Sequence, residues 1–186
     1  GLPNAGIDYY VSSSVLDEVA ATGKPYIVSL SGLTVADNLE MLTRVASAVA
    51  AAPGRIAAVE LNLACPNIPG KPTVALDFEQ MASVLDRVLA HKAFAASALP
   101  LGIKLAPYFD GPHFDAAAAI INKRAVRIGY VVTMNTIGNC MVVDVESEVR
   151  PPPGPRACPP PPAFRPGALP MGRRVVYAGA QRRSLE

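Results

Sequence analysis

A single cysteine stands between two asparagines in residues 61–72, which read LNLACPNIPGKP. Cys65 lies three residues after Asn62 and two residues before Asn67. A thiolate can act as a nucleophile or as a general base, and side-chain amides can hydrogen-bond the polar edge of a flat ring. A lone cysteine is more often a small hydrophobe that packs in a core. Two flanking amides are not needed for packing, so the spacing favours a catalytic thiol in a polar pocket.

The chain around this segment alternates short β-branched runs with helical patterns of ~12–20 residues, which is typical of consecutive βα units in a parallel sheet. The run at residues 57–61, just before the cysteine segment, is mostly apolar, as a buried parallel strand should be. Parallel α/β folds carry their chemistry at the carboxyl ends of the strands, and Cys65 falls in such a position. We predict four strands, at residues 25–30, 57–63, 101–105 and 128–133.

Four helices are predicted beside these strands from capping residues and apolar spacing. One starts after Thr34, with Asp37 completing a variant of the capping box, and is expected to end near Gly54. The other three are expected at residues 12–22, from Asp77 onward and after Asp110. The last helix is expected to align four apolar residues along one stripe: Phe114, Ala117, Ala118 and Ile121.

Polar side chains recur at the carboxyl end of all four predicted strands. They are Ser31, then Asn62 with Cys65 and Asn67, then Lys104, and then Asn135 with Thr136. Asparagine often caps a turn and a strand-end lysine often extends to solvent, so each residue alone has a structural explanation. Recurrence on four strands favours one shared pocket, and amides with one cation and one thiol suit a planar polar heterocycle better than a metal. We predict no metal site, and we interpret His91 and His113 as surface residues.

The composition is that of a one-domain globular protein of 186 residues, with 51% hydrophobic and 17% charged residues. No apolar run approaches the ~18 residues that a membrane span needs, and no secretory signal is visible, so no membrane partner is expected. The three cysteines, at positions 65, 140 and 158, favour neither a disulfide framework nor a metal cluster. We therefore expect a reducing, cytoplasmic location.

Residues 150–186 differ in composition from residues 1–149. They hold seven arginines, one glutamate and ten of the 19 prolines, whereas residues 1–149 hold 10 basic and 14 acidic side chains. Proline lacks an N–H donor and has a fixed φ, so the tail is expected to be disordered or polyproline-like. Its arginines lack the interleaved aromatic residues of a nucleic-acid surface, and no nucleic acid is predicted as a partner.

Four motifs occur in the order and spacing of one known family: GLPN at residues 1–4, LNLACPNIPGKP at 61–72, GIKLAPYFD at 102–110 and NTIGN at 135–139. Through them, residues 1–149 resemble the class 1A, cytosolic and fumarate-dependent dihydroorotate dehydrogenases. The resemblance implies an α/β fold, a partial (β/α)8 TIM barrel of the FMN-dependent type with about four of its eight βα units present. It implies oxidation of dihydroorotate to orotate, with fumarate as the acceptor, in pyrimidine biosynthesis, and it implies a homodimer.

The resemblance also implies roles for the site residues. Cys65 would be the general base that removes the C5 proton of dihydroorotate while the C6 hydride passes to the flavin. Lys104 would lie beside the isoalloxazine ring, where its positive charge stabilises the negative charge that arrives with the hydride. The substrate would be bound by the side chains of Asn62, Asn67, Asn135 and Thr136 and by the backbone of Gly1 and Leu2. The flavin would also contact Asn62 and Met134.

The same resemblance predicts a barrel that is incomplete at both ends, because the chain begins within the substrate loop and the similarity stops after Glu148. We therefore predict that this chain alone binds FMN weakly or not at all, that its activity is weak or absent, and that residues 150–186 are a disordered or frame-shifted tail. Two other functions are considered. One is a flavin barrel that acts on another dihydropyrimidine, and the other is a non-catalytic half-barrel scaffold whose Pro/Arg-rich tail recruits partners.

Overall fold

The computed structural model describes residues 4–65, 73–135 and 176–180. Its strands within these residues are β1 (Tyr26–Leu30), β2 (Ala58–Asn62), β3 (Leu101–Lys104), β4 (Ile128–Val132) and β5 (Val176–Ala180). The α-helices there are α1 (Ile7–Tyr10), α2 (Ser13–Ala21), α3 (Val35–Ala51), α4 (Phe78–Leu89), α5 (Lys92–Ser97) and α6 (Gly111–Asn122). A short 3-10 helix, Val74–Leu76, precedes α4. The four predicted strands and the four predicted helices are confirmed, with small differences at their ends.

The described strands lie in one sheet, in the order β4-β3-β2-β1-β5, and every adjacent pair is parallel. β1 to β4 are neighbours in the order in which they occur along the chain, and at least one helix lies between each strand and the next. Sequential parallel strands with intervening helices are the arrangement of a (β/α)8 barrel wall. The chain is therefore an α/β protein whose first four strands form part of such a barrel, as predicted.

One face of the sheet packs on the helices and is apolar. Side chains alternate between the two faces along each strand, and the residues on this face share one buried cluster with the apolar stripes of α3 and α4. The cluster includes, from the sheet, Val28, Leu30, Val59, Leu61, Leu101 and Ile103, and, from the helices, Met41, Leu42, Val45, Met81, Leu85 and Val88. The alternate residues Ser29, Glu60 and Lys104 therefore lie on the opposite face, which we call the inner face.

Capping residues start the three helices that follow β1, β2 and β3. Thr34 Oγ1 accepts a hydrogen bond from Asp37 N–H, and the Asp37 carboxylate accepts one from Thr34 N–H, so the predicted capping box is present. Asp77 and Asp110 each accept a hydrogen bond from the backbone N–H three residues on, at 3.0 and 2.9 Å. A cap of this kind stabilises a helix by ~1 kcal/mol. The caps also determine where each loop at the carboxyl end of the sheet stops.

Gly102 gives room on the inner face for the ring of Tyr130, which lies on the neighbouring strand β4. A Cβ added at residue 102 would overlap that ring. We expect Gly102→Ala to lower the free energy of unfolding by about 1 to 3 kcal/mol, because the ring must leave a packed position.

The matched control for this variant is Gly111→Ala. A Cβ at residue 111 meets no atom within 4 Å, and alanine is the better helix residue, so no loss of stability is expected. Chemical unfolding followed by circular dichroism measures both variants. Equal stability of the two would contradict the prediction.

Phe114 is exposed, although it belongs to the predicted apolar stripe of α6. Its side chain is 56% exposed, and its ring packs edge-on against Tyr108 with the ring centroids 5.6 Å apart. The residue of α6 that is buried is Ala117. An apolar stripe indicates which residues share one side of a helix, but it does not indicate how far along the helix the neighbouring elements reach.

The tail contains one strand, so the prediction that residues 150–186 lack regular structure is wrong for Val176–Ala180. β5 pairs in parallel with β1 along all five of its residues. The ten prolines of the tail lie at or before Pro170, so each residue of β5 retains an N–H that can pair. Strand pairing depends on the local stretch, whereas the prediction used the composition of the whole tail. The other residues of the tail lie outside the described ones, and the domain boundary at residue 149 stays a prediction.

Candidate functional site

The inner face carries a buried ion pair between Glu60 on β2 and Lys104 on β3. Lys104 Nζ lies 2.9 Å from Glu60 Oε1. Ser29 Oγ, on β1, donates a hydrogen bond to the same oxygen at 3.1 Å. The side chain of Glu60 is 1% exposed and that of Lys104 is 22% exposed. Three adjacent strands therefore share one hydrogen-bonded network, and its cation is the end that solvent or a ligand can reach.

The register of the sheet brings these three residues together. Ser29 is opposite Glu60 in the β1–β2 pair, and Asn62 is opposite Lys104 in the β2–β3 pair. Glu60 precedes Asn62 by two residues, so both lie on the inner face. The lysine side chain has a flexible four-carbon stem that spans this offset of two residues.

A second hydrogen-bonded group lies in the loop that leads to Cys65. Asn62 Oδ1 accepts a hydrogen bond from Ala64 N–H at 3.1 Å and another from Asn135 Nδ2 at 3.1 Å. Asn135 Nδ2 also donates to Ala64 O at 2.8 Å. Side chains therefore hold both backbone polar groups of Ala64, the residue before the cysteine. Cys65 itself is half-buried.

The loop that contains Cys65 is held at both of its ends. Ala75 N–H donates to Leu63 O at 2.9 Å, which returns the chain to the end of β2. Tyr108 Oη donates to Ala75 O at 2.7 Å, and burial raises the pKa of the Tyr108 hydroxyl. On the other side of the site, Asn135 N–H donates to Leu105 O at 2.8 Å and so fixes the residue that contacts Ala64.

Five of the nine predicted site residues lie in the described part of the chain. The structure brings Asn62 and Asn135 together beside the backbone that precedes Cys65, and it sets Lys104 opposite Asn62. Met134 precedes Asn135 and is 46% exposed. The other four, Gly1, Leu2, Asn67 and Thr136, lie outside the described residues, and their roles stay predictions.

Residues 4–65, 73–135 and 176–180 contain no group of three His, Cys, Asp or Glu side chains that could hold a metal ion. In the same ranges, no helix combines the length and the apolar character that crossing a bilayer requires.

The family model described as dihydroorotate dehydrogenase matches residues 1–152. This chain belongs to the dihydroorotate dehydrogenase family. It is 45% identical over 149 residues to the dihydroorotate dehydrogenase (fumarate) of Trypanosoma cruzi, an alignment that covers 80% of this chain and 44% of that protein. The proteins of the same name from Kluyveromyces lactis and Trypanosoma brucei brucei are 43% and 40% identical to this chain, and each alignment again covers 80% of this chain and 44% of the relative. The chain thus spans less than half the length of these curated relatives.

Glu60 and Ser29 are part of the inner-face network of this candidate site, but no sequence motif marks them. Glu60 stands within the strand at residues 57–63, between apolar neighbours. A charged side chain is almost never fully buried unless it is paired. A glutamate within a buried strand therefore indicates a paired carboxylate at residue 60. The identity of its partners depends on the register of three strands, which a single sequence does not reveal.

We expect Asn135→Asp to lower the free energy of unfolding by about 2 to 3 kcal/mol, more than Asn135→Ala does. The aspartate is almost the same size, but it places a carboxylate oxygen where the amide nitrogen faces Asn62 Oδ1 and Ala64 O. Two hydrogen bonds are lost and acceptors then face each other, whereas alanine only loses the two bonds. Urea unfolding of both variants measures the difference. An aspartate variant that is more stable than the alanine variant would contradict the assigned orientation of the Asn135 amide.

Proposed function

We propose that this chain carries part of the active site of an FMN-dependent dihydroorotate dehydrogenase, which oxidises dihydroorotate to orotate in pyrimidine biosynthesis with fumarate as the acceptor. The observation that supports this proposal most is the convergence of one cation, two amides and the cysteine loop at the carboxyl ends of consecutive strands, in a chain of this family. The curated relatives named above carry fumarate in their names, which supports fumarate as the acceptor.

The residues of the inner face fit a flavin. Dihydroorotate dehydrogenases are flavin-dependent, and an isoalloxazine ring presents carbonyl oxygens and ring nitrogens that an ammonium and amides can bind. Lys104, Asn62 and Met134 would hold it. Ser31 Oγ and Glu60 Oε2 are buried without a hydrogen bond to any described residue, as expected beside a polar group that lies over the inner face. When bound, the flavin supplies the acceptor for a hydride.

The other residues act on the substrate. Cys65, as the thiolate, takes the proton from C5 of dihydroorotate while the hydride leaves C6. Asn62 and Asn135 hydrogen-bond the ring amide groups or the carboxylate, and Asn67 and Thr136 are proposed to do the same. Lys104 supplies positive charge where negative charge develops. Polar groups that are paired only with the correct substrate discriminate strongly against analogues, because an unpaired buried amide costs ~1 to 3 kcal/mol.

The proposal is tested by anaerobic reduction of FMN by dihydroorotate in the presence of the 186-residue chain. FMN is supplied in excess, so that weak binding does not hide the reaction. Loss of flavin absorbance with formation of orotate, followed by reoxidation on addition of fumarate, is the expected result. The same mixture without protein, and dihydrouracil in place of dihydroorotate, are the controls. Absence of any dihydroorotate-dependent reduction would refute catalysis by this chain alone, and reduction by dihydrouracil alone would change the substrate.

We also propose a cytoplasmic location and a homodimer. The location is supported by the three scattered cysteines, and the dimer is supported by the family resemblance alone. Sedimentation velocity of the purified chain gives the oligomeric state directly. A monomer at all accessible concentrations would refute the dimer for this chain.

A further inference from the structure

Glu60 is the centre of the inner-face network. Its Oε1 accepts hydrogen bonds from Ser29 Oγ at 3.1 Å and from Lys104 Nζ at 2.9 Å. Among the described residues, Lys104 is the only cation within ion-pair distance of this carboxylate. Glu60 Oε2 is buried and makes no hydrogen bond to any of them. One carboxylate oxygen therefore holds two side chains from two neighbouring strands.

A lysine at a strand end does not hold one position by itself. Its long stem has several rotatable bonds, and its ammonium tends to extend toward water. The ammonium of Lys104 instead reaches across to β2 and contacts the carboxylate of Glu60, whose side chain is 1% exposed. A buried carboxylate is stable only with a countercharge and hydrogen bonds, so the attraction acts on both partners. The hydroxyl of Ser29 restricts the carboxylate in turn.

We propose that Glu60 is a positioning residue for Lys104, which holds the ammonium at the inner face and offsets part of its positive charge. Ser29 orients the Glu60 carboxylate for this task. The Glu60 carboxylate lies behind the ammonium, so a group above Lys104 meets a directed N–H donor whose positive charge is reduced but not removed. The part of this inference that concerns a bound flavin rests on the proposed function.

Glu60→Gln separates the charge from the hydrogen bond. The glutamine oxygen can still accept from Lys104 and Ser29, but it no longer offsets the charge of the ammonium. Two results follow. A neutral amide oxygen holds the ammonium less firmly than a carboxylate does, so Lys104 leaves the inner face more often and becomes more reactive toward acylating reagents. With a flavin bound, the uncompensated charge favours the reduced and more negative form of the flavin.

The first experiment needs no flavin. The chain is treated with a limiting amount of acetic anhydride, and acetylation at each lysine is quantified by mass spectrometry. We expect Lys104 to react about tenfold faster in Glu60→Gln than in the wild type, because a hydrogen bond to a charged acceptor is replaced by one to a neutral acceptor. The exposed residues Lys92 and Lys123 are internal references and should not change. A Lys104 rate that stays within about twofold of the wild type, while the references are constant, would overturn the inference.

Ser29→Ala guards against a Glu60→Gln variant that fails to fold. It keeps the carboxylate and the ion pair but removes the hydrogen bond that orients Glu60. We expect a two- to threefold faster acetylation of Lys104, about the effect of one neutral hydrogen bond. If circular dichroism reports that Glu60→Gln is unfolded, this variant decides alone, and an unchanged rate at Lys104 overturns the inference.

The second experiment compares the affinities of the chain for oxidised and reduced FMN. In Glu60→Gln, the ratio of reduced to oxidised affinity should rise about tenfold, which for two electrons is a shift of ~30 mV toward easier reduction. In Lys104→Met the ratio should fall. A residue that only supports the fold would lower both affinities without changing their ratio, and that result would overturn the inference. If the wild-type chain takes up no FMN, flavin binding by this chain alone is refuted, and the acetylation result still decides the role of Glu60.

Discussion

Lys104→Met is expected to lower the free energy of unfolding by about 3 to 5 kcal/mol, although the lysine is partly exposed. Methionine keeps most of the stem of the side chain and removes the ammonium. Glu60 then remains as a carboxylate that is 1% exposed and has lost its countercharge. The hydrogen bond from Ser29 Oγ remains, but a hydroxyl does not neutralise the charge. The penalty arises from the partner that stays behind, and it is therefore larger than the net contribution of the ion pair.

The double variant Glu60→Gln/Lys104→Met is the control for this explanation. It removes both charges and leaves a neutral amide that can still accept from Ser29, so most of the lost stability should return. Urea unfolding of the wild type, both single variants and the double variant gives the coupling energy between the two residues. If the double variant is as unstable as Lys104→Met, the loss comes from packing of the lysine stem and the buried-charge explanation is wrong.

Cys65→Ser is expected to lower the rate of flavin reduction by dihydroorotate 10²- to 10⁴-fold, the usual contribution of a positioned general base. A serine hydroxyl has nearly the same shape as the thiol but is a far poorer base at neutral pH. The backbone before it should not move, because Asn62 and Asn135 hold both polar groups of Ala64. Affinity for the substrate should therefore stay nearly constant while the rate falls.

Single-turnover reduction of excess FMN, measured at several concentrations of dihydroorotate, separates these two effects. Cys65→Ala is the matched variant, since it removes the side-chain acid and base entirely and should be as slow as the serine variant. A loss smaller than about tenfold in both variants would mean that another group takes the proton.

Features that depend on neighbouring residues in the chain could be predicted from the sequence. The capping box of Thr34 and Asp37, and the caps at Asp77 and Asp110, involve residues three apart, and each marks the start of a helix correctly. The four strands of the barrel part follow from their apolar runs for the same reason. Short helices such as α5, with six residues, give too few turns for a periodic signal.

Features that depend on how distant segments meet could not be predicted. The recurrence of polar residues at strand ends predicted a shared site, but it did not predict the hydrogen bond by which Asn135 contacts Asn62 across 73 positions of sequence. The role of Glu60 depends on the register of three strands, which places it against Ser29 and Lys104. The exposure of Phe114 and the pairing of β5 with β1 depend on which surfaces neighbouring elements cover. Composition and period carry no information about these pairings.

The hydrogen bond between Ala75 N–H and Leu63 O closes the cysteine loop, residues 63–75, at its base. That bond joins the two ends of the loop, and Tyr108 Oη holds the second end by donating a hydrogen bond to Ala75 O. The entropy of closing a loop on such a fixed base changes only slowly with loop length. Residues 66–72 should therefore be replaceable by the matching stretch of a relative without loss of the sheet. Exchange of this segment between members of the family would then change the substrate contacts made by residues 66–72 and leave the stability of the sheet unchanged.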